Sequence, residues 1–198
     1  MPDWVILVDT PKYFPNAETP HKVISTRDYL ARANLFQGTR PKIINLSRSF
    51  SYQSRGYYCS LLAEARGHHV IPSVQVLNDL GKRALYELQL GELADSLERS
   101  CAGYAKSEKL LVRSYFGTTP DPAYRDLARR LFDVFPCPLL EIGLGYKQRW
   151  QIVSLKAISP RGLDDAAQTA FADALDQYSR QILRGARKRR RYRYDLAM

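Results

Sequence analysis

Residues 42–72 read KIINLSRSFSYQSRGYYCSLLAEARGHHVIP, and this stretch decides the fold. Lys42 to Asn45 is a short apolar run with the character of a buried strand, and it feeds a polar loop from Leu46 to Gln53. Tyr58, Leu61, Leu62 and Ala65 then fall at i, i+3, i+4 and i+7, which predicts a helix with those residues on its inner face. Gly67 supplies the left-handed residue that closes many helices, and His69 to Pro72 reads as the next strand. The stretch is one β-loop-α-β unit. Ligands of open α/β sheets sit at the carboxyl ends of strands, which directs attention to the loop after Asn45.

Working outward, Trp4 to Val8 (WVILV) predicts a buried strand and Lys22 to Ser25 a second one. The three prolines between residues 11 and 20 argue against regular structure there. Thr26 reads as the cap of a brief helix, Arg27 to Ala33, with Asp28 in its first turn. Pro72-Ser73 opens a helical region with Val74, Leu77, Leu80 and Ala84 as its stripe, broken near Gly81 and continued over Leu85 to Leu97. Ser96 to Lys109 is polar and reads as a helix end and connection.

The second half has another rhythm. Lys109 to Phe116 predicts a strand, and Gly117 to Pro120 a turn. Pro122 opens a helix whose stripe is Tyr124, Leu127, Leu131 and Phe135. Leu139 to Leu144 and Trp150 to Ile158 form a hairpin across Gly145 to Arg149. Asp164 or Asp165 starts a last helix through Phe171, Leu175, Tyr178 and Ile182. The expectation is an α+β fold over residues 1–183: a Rossmann-like first half (about 1–100), a β-α-β-β-α second half (101–183), then a basic tail, 184–198.

A chain of 198 residues with 45% hydrophobic side chains can bury a sizeable core, and no apolar run reaches the ~20 residues of a membrane span. The N-terminus lacks the basic region of a signal peptide. Three scattered cysteines, Cys59, Cys101 and Cys137, fit reduced thiols and a cytoplasmic setting rather than a zinc site or disulfide framework. The net charge of +10 is uneven: residues 184–198 carry seven Lys/Arg against one Asp, leaving +4 for the body.

Between strand and helix, Ser47, Arg48, Ser49 and Ser54 can offer N–H groups and a guanidinium to a phosphate or carboxylate, with Tyr52, Gln53 and Tyr57 as neighbouring donors. The opposing reading is that the serines cap the helix, Arg48 is solvated and the tyrosines pack. Arg187, Lys188, Arg189, Arg190, Arg191, Tyr192 and Arg193 could bind nucleic acid as an alternative, or serve as a polar linker. Gly143-Leu144-Gly145 leads to a strand, not a helix, and is no dinucleotide loop. Adjacent His68 and His69 point to opposite faces of a strand, so no metal site is expected. Glu141, inside an apolar strand, is the acid whose titration would move if it were buried.

The stretch NLSRSFSYQSRGYYCSLLAEARGHHVIPSV (45–74), with VDTP at 8–11, ISTRDYL at 24–30 and RRYRYDLA at 190–197, resembles the N-terminal domain fused to RimK-like ATP-grasp ligases. The resemblance implies a partner ATP-grasp module, in cis or trans, that joins a carboxylate to an amine through an acyl phosphate made with ATP and magnesium. It implies glutamate or another amino acid as the ligated group and an amino-acid or peptide substrate. It carries no catalytic residues onto this chain. The expectation is therefore an accessory, substrate-recognising domain that is not catalytic alone and holds no cofactor of its own. A nucleic-acid-binding module and a small stand-alone enzyme built on the 47–54 loop are the competing readings.

Overall fold

A computed structural model describes residues 4–14, 19–82 and 94–186. The first half builds a parallel sheet from β1 (Trp4–Val8), β2 (Lys22–Ser25), β3 (Lys42–Asn45) and β4 (His69–Ile71), in the order β2-β1-β3-β4. All five residues of β1 are buried, as befits the middle of a sheet covered on both faces. Helices α1 (Thr26–Ala31) and α2 (Arg55–Ala65) cover one face, where Val5, Leu7, Ile43 and Val70 meet Tyr29, Cys59 and Ala63. Helix α3 (Val74–Leu80) follows β4, and α4 (Ala94–Ser100) comes next among the described residues.

The second half is an antiparallel sheet of β5 (Lys109–Tyr115), β6 (Leu139–Tyr146) and β7 (Trp150–Ala157), in the order β5-β6-β7. A 3-10 turn (Pro122–Tyr124) leads into α5 (Arg125–Val134), whose Leu127, Ala128 and Leu131 are buried against that sheet. Tyr124 and Phe135 complete the expected stripe. The long α6 (Asp165–Ala186) joins the halves. Its Phe171, Leu175 and Tyr178 share one apolar cluster with Trp4, Ile6 and Ile44 of the parallel sheet and Tyr115 and Leu139 of the antiparallel one. Tyr178 stacks on Phe116 at 4.9 Å and meets Trp4 at 5.5 Å between ring centroids. The architecture is α+β. Among the described residues, no helix is long and apolar enough to cross a membrane.

Five local expectations need correction. Helix α2 forms where expected, but it buries Gly56, Cys59, Ser60 and Ala63, leaving Tyr58 and Leu61 41% and 39% exposed, Ala65 outside and Leu62 half-buried. Small side chains let the helix lie close on β3, so proximity rather than bulk chose the inner face. Helix α1 is capped by Ser25, not Thr26: Ser25 Oγ accepts the Asp28 N–H at 2.9 Å and donates to Asp28 Oδ2 at 2.6 Å. Thr26 is buried instead, and the helix stops at Ala31. Pro11–Tyr13 is a 3-10 turn, because proline suits the first position of such a turn. Ser96 to Ser100 belongs to α4, anchored by buried Leu97, rather than to a polar connection. The helix expected over 85–97 lies largely outside the described residues, and so does the basic tail from 187 onward.

Candidate functional site

The chain leaves β1 towards β2 but leaves β3 towards β4, in opposite directions. The carboxyl ends of β1 and β3 therefore splay apart at a topological switch point, the place where open α/β sheets form ligand crevices. Asn45 ends β3 with its side chain fully buried. Its amide donates to Gly56 O at 2.8 Å and Ser60 Oγ at 2.9 Å, and its Oδ1 accepts from the Ser47 hydroxyl at 2.5 Å and the Ser47 N–H at 3.2 Å. Ser60 donates onward to Pro72 O at 2.7 Å. This network ties the loop to α2 and to the end of β4. Ser54 caps α2, accepting from the Tyr57 N–H at 3.3 Å and donating back to Ser49 O at 2.8 Å.

Arg48 emerges from this fixed loop. Its N–H donates to Asp9 Oδ2 at 2.6 Å, and Asp9 Oδ1 accepts from Thr26 Oγ1 at 3.1 Å. Asp9 thus pins the two strand ends together, and the Arg48 guanidinium is left exposed, without an ion-pair partner among the described residues.

Two adjoining cavities share Arg48 and Arg161. The larger, about 810 Å³, is lined by Arg48, Ser49, Ser51, Arg113, Lys156 and Arg161 over an apolar floor that includes Leu80, Leu155 and Leu163. Among the described residues, four cations and no carboxylate line it, which focuses a positive potential inside a concave surface. Arg113 has a buried Nε without a hydrogen bond, and Glu141 Oε2 stands 3.9 Å away, too far for one. The smaller cavity, about 260 Å³, lies between Asp9, Phe14, Leu46 and Arg48 on one side and Ser159, Arg161 and Gln168 on the other.

Nucleophilic chemistry finds no activated thiol here. Burial first, and Asp9 second, push the Cys59 thiol up to about 12. Burial pushes Cys137 up to about 12 and raises Cys101 as well, so all three are protonated near neutral pH. Burial likewise raises Tyr115, opposed by Arg113. The arrangement can bind and orient an anion.

The residues singled out in the sequence do not converge. Arg48 and Ser49 line the larger cavity, with Ser51 beside them. Ser47 is buried as a structural partner of Asn45, and Ser54 is the α2 cap. Tyr52, Gln53, Ser54 and Tyr57 line neither cavity; Tyr52 is 74% exposed and meets Tyr57 edge-on at 5.3 Å. Asp9, Arg113, Lys156 and Arg161 were not singled out as partners of the loop. A faint signal existed for Arg113 and Lys156, cations interrupting apolar strands, but only the sheet pairing sets both beside Glu141. Among the described residues no group of three His, Cys, Asp or Glu converges to hold a metal ion. His68 is buried against the Tyr29 hydroxyl at 2.9 Å, whereas His69 is exposed.

The family model described as "RimK-like ATPgrasp N-terminal domain" matches residues 26–174, a span that includes the 46–54 loop, Arg113, Lys156 and Arg161. No curated protein matches the chain. Among solved structures, it is similar to the ATP-grasp ligase PsnB complexed with minimal precursor, with a TM-score of 0.54 at 10% identity, covering 90% of this chain and 100% of that one. The same ligase complexed with minimal precursor, Mg and ADP gives 0.54 at 11% identity, covering 88% and 98%. With a phosphomimetic variant of the minimal precursor it gives 0.53 at 11%, covering 87% and 96%. At such identities the likeness is one of fold.

Proposed function

The chain belongs to the RimK-like ATP-grasp N-terminal domain family, and on that premise we propose that it is the substrate-recognition part of an ATP-dependent carboxylate–amine ligase of the glutamate type. It binds a carboxylate- or phosphate-bearing amino acid or peptide in the cleft at the ends of β1 and β3. ATP and magnesium chemistry belongs to an ATP-grasp module acting in cis or trans, and this chain is not catalytic alone. The observation that carries the reading is the cleft itself: Arg48, Arg113, Lys156 and Arg161 converge with no carboxylate among the described lining residues. The printed descriptions of PsnB, a ligase complexed with precursor peptides and with Mg and ADP, support a peptide substrate and an ATP-grasp partner. In this account Asp9 fixes the loop backbone, Arg48 and Arg161 grip the anion from either side, and Arg113 meets it from below.

Titration with inorganic phosphate and with a capped glutamate peptide, followed by NMR, tests the assignment. Signals of residues 47–51 and 159–162 should shift together. Arg48→Ala should weaken binding by about 1.5–3 kcal/mol, the scale of a charged hydrogen bond, or roughly ten- to a hundredfold. Shifts confined to another surface, with Arg48→Ala binding as well as wild type, would overturn the site.

A further inference from the structure

Among the described residues, the antiparallel sheet leaves one edge of β5 without a partner strand. Tyr115 exchanges both of its backbone hydrogen bonds with Thr118, at 2.7 and 2.9 Å, while the next N–H, that of Phe116, bonds Pro138 O at 2.9 Å. The Tyr115 backbone groups therefore point away from β6. Backbone direction alternates along a strand, so the N–H and C=O groups of Arg113, Leu111 and Lys109 face the same outer edge. Among the described residues, no turn or loop backbone bonds them there. A groove of about 330 Å³ follows this edge past Leu110, Leu111 and Arg113, with Tyr104, Pro120 and Asp121 opposite.

The side chains of Lys109, Leu111 and Arg113 share one face of the sheet. Across β6, Lys109 is paired with Gly145 and Leu111 with Gly143, so neither has a cross-strand side chain on its inner flank, and Leu111 is 59% exposed. Arg113 has Glu141 on its inner flank, and its side chain is 35% exposed. This cation–apolar–cation pattern rejects a second copy of the chain. Antiparallel self-pairing centred on Leu111 sets Lys109 opposite Arg113 of the other copy twice, and centring on either cation sets like against like. The same pattern is complementary to acids. Asp121 is the acid in the groove wall, and its Oδ1 is engaged by the Ala123 N–H at 2.9 Å.

We propose that the free edge of β5 binds an extended acidic peptide of the form acid–any–apolar–any–acid, which adds to the sheet as a fourth strand. Backbone hydrogen bonds form with Leu111 and Arg113, the apolar side chain lies beside Leu111, and the two acids flank it against Lys109 and Arg113. Because the form is palindromic, either strand direction satisfies it. The inference shares Arg113 with the anion cleft but rests on the strand edge, whose Lys109 and Leu111 line neither of the cleft's cavities.

The test is an NMR titration of the full chain with a capped seven-residue peptide carrying a central leucine and glutamates two residues to either side. The Leu111 and Arg113 amides should shift and their hydrogen exchange should slow. Lys109→Glu should weaken binding about tenfold, and one of the two single glutamate-to-lysine peptides should restore it. Leu111→Pro should abolish binding, because it removes an outward N–H that β6 does not use. Failure of both charge-swapped peptides to rescue Lys109→Glu, or peptide binding that leaves the edge amides unmoved, would overturn the proposal. So would edge amides protected without peptide at high protein concentration, which would identify a second copy as the occupant.

Discussion

Gly56→Ala sets two opposing effects against each other at the root of the cleft. Alanine in a helix is favoured over glycine by up to ~1 kcal/mol, and Gly56 sits in the first turn of α2. Against this, a Cβ at position 56 would land on the Ser49 carbonyl oxygen and 2.6 Å from Ser47 Cβ. Neither obstacle gives way easily. Ser49 O holds the Ser54 cap at 2.8 Å, and Ser47 is buried on Asn45. Overpacking of this kind costs about 1–3 kcal/mol, so the clash wins and the net destabilisation should be about 1–2 kcal/mol. Relief requires α2 and the loop to separate, which moves Arg48 relative to Arg161. Urea unfolding should therefore show a lower midpoint with an unchanged slope, and phosphate affinity should fall with it. A Gly56→Ala protein as stable as wild type, with intact anion binding, would refute the claim that close helix–loop packing positions the cleft.

Three further outcomes follow from the same structure. Asn45→Leu strands the buried Ser47 hydroxyl and N–H and should destabilise the protein by about 3 kcal/mol in urea unfolding, against little change for exposed Gln53→Leu. Burial, with Arg66 adding to it, holds His68 below its ordinary 6.5. The unfolded chain therefore takes up that proton first, so stability is full above pH 6.5 and falls as pH drops through 6.5 towards the folded value. Unfolding titrations should show that acid-side slope flattened in His68→Gln, with His21, also lowered by burial, supplying the remainder. Arg161→Ala should lower anion affinity as Arg48→Ala does while leaving the urea midpoint within about 0.5 kcal/mol of wild type, because Arg161 is exposed.

Much of the fold was legible because local patterns and tertiary demands agree. WVILV is apolar throughout and forms a strand covered on both faces; the stripe from Tyr124 to Phe135 repeats at helical spacing and is buried as read. Helix α2 broke the rule because its buried face is made of Gly56, Cys59, Ser60 and Ala63, residues selected for closeness to β3 and for hydrogen bonding to Asn45. A periodicity count favours Tyr58 and Leu61, which are larger but exposed. The site was half legible. A strand-to-helix loop with Arg48 announces itself, whereas Asp9, Arg113 and the segment from Lys156 to Arg161 come from three distant stretches, set around the two adjoining cavities where α6 packs on both sheets. The open edge of β5 was hidden for a related reason: edge position is a property of strand order, not of the strand's own residues.

ADP formation separates recognition by this chain from activation elsewhere. A separately expressed ATP-grasp module is assayed with ATP, magnesium, glutamate and an amine-bearing peptide, with and without this chain. No ADP should form with this chain alone, turnover should appear when module and chain are combined, and Arg48→Ala should abolish that gain. Magnesium-dependent ADP formation by the isolated chain, abolished by Arg48→Ala, would contradict that division of roles.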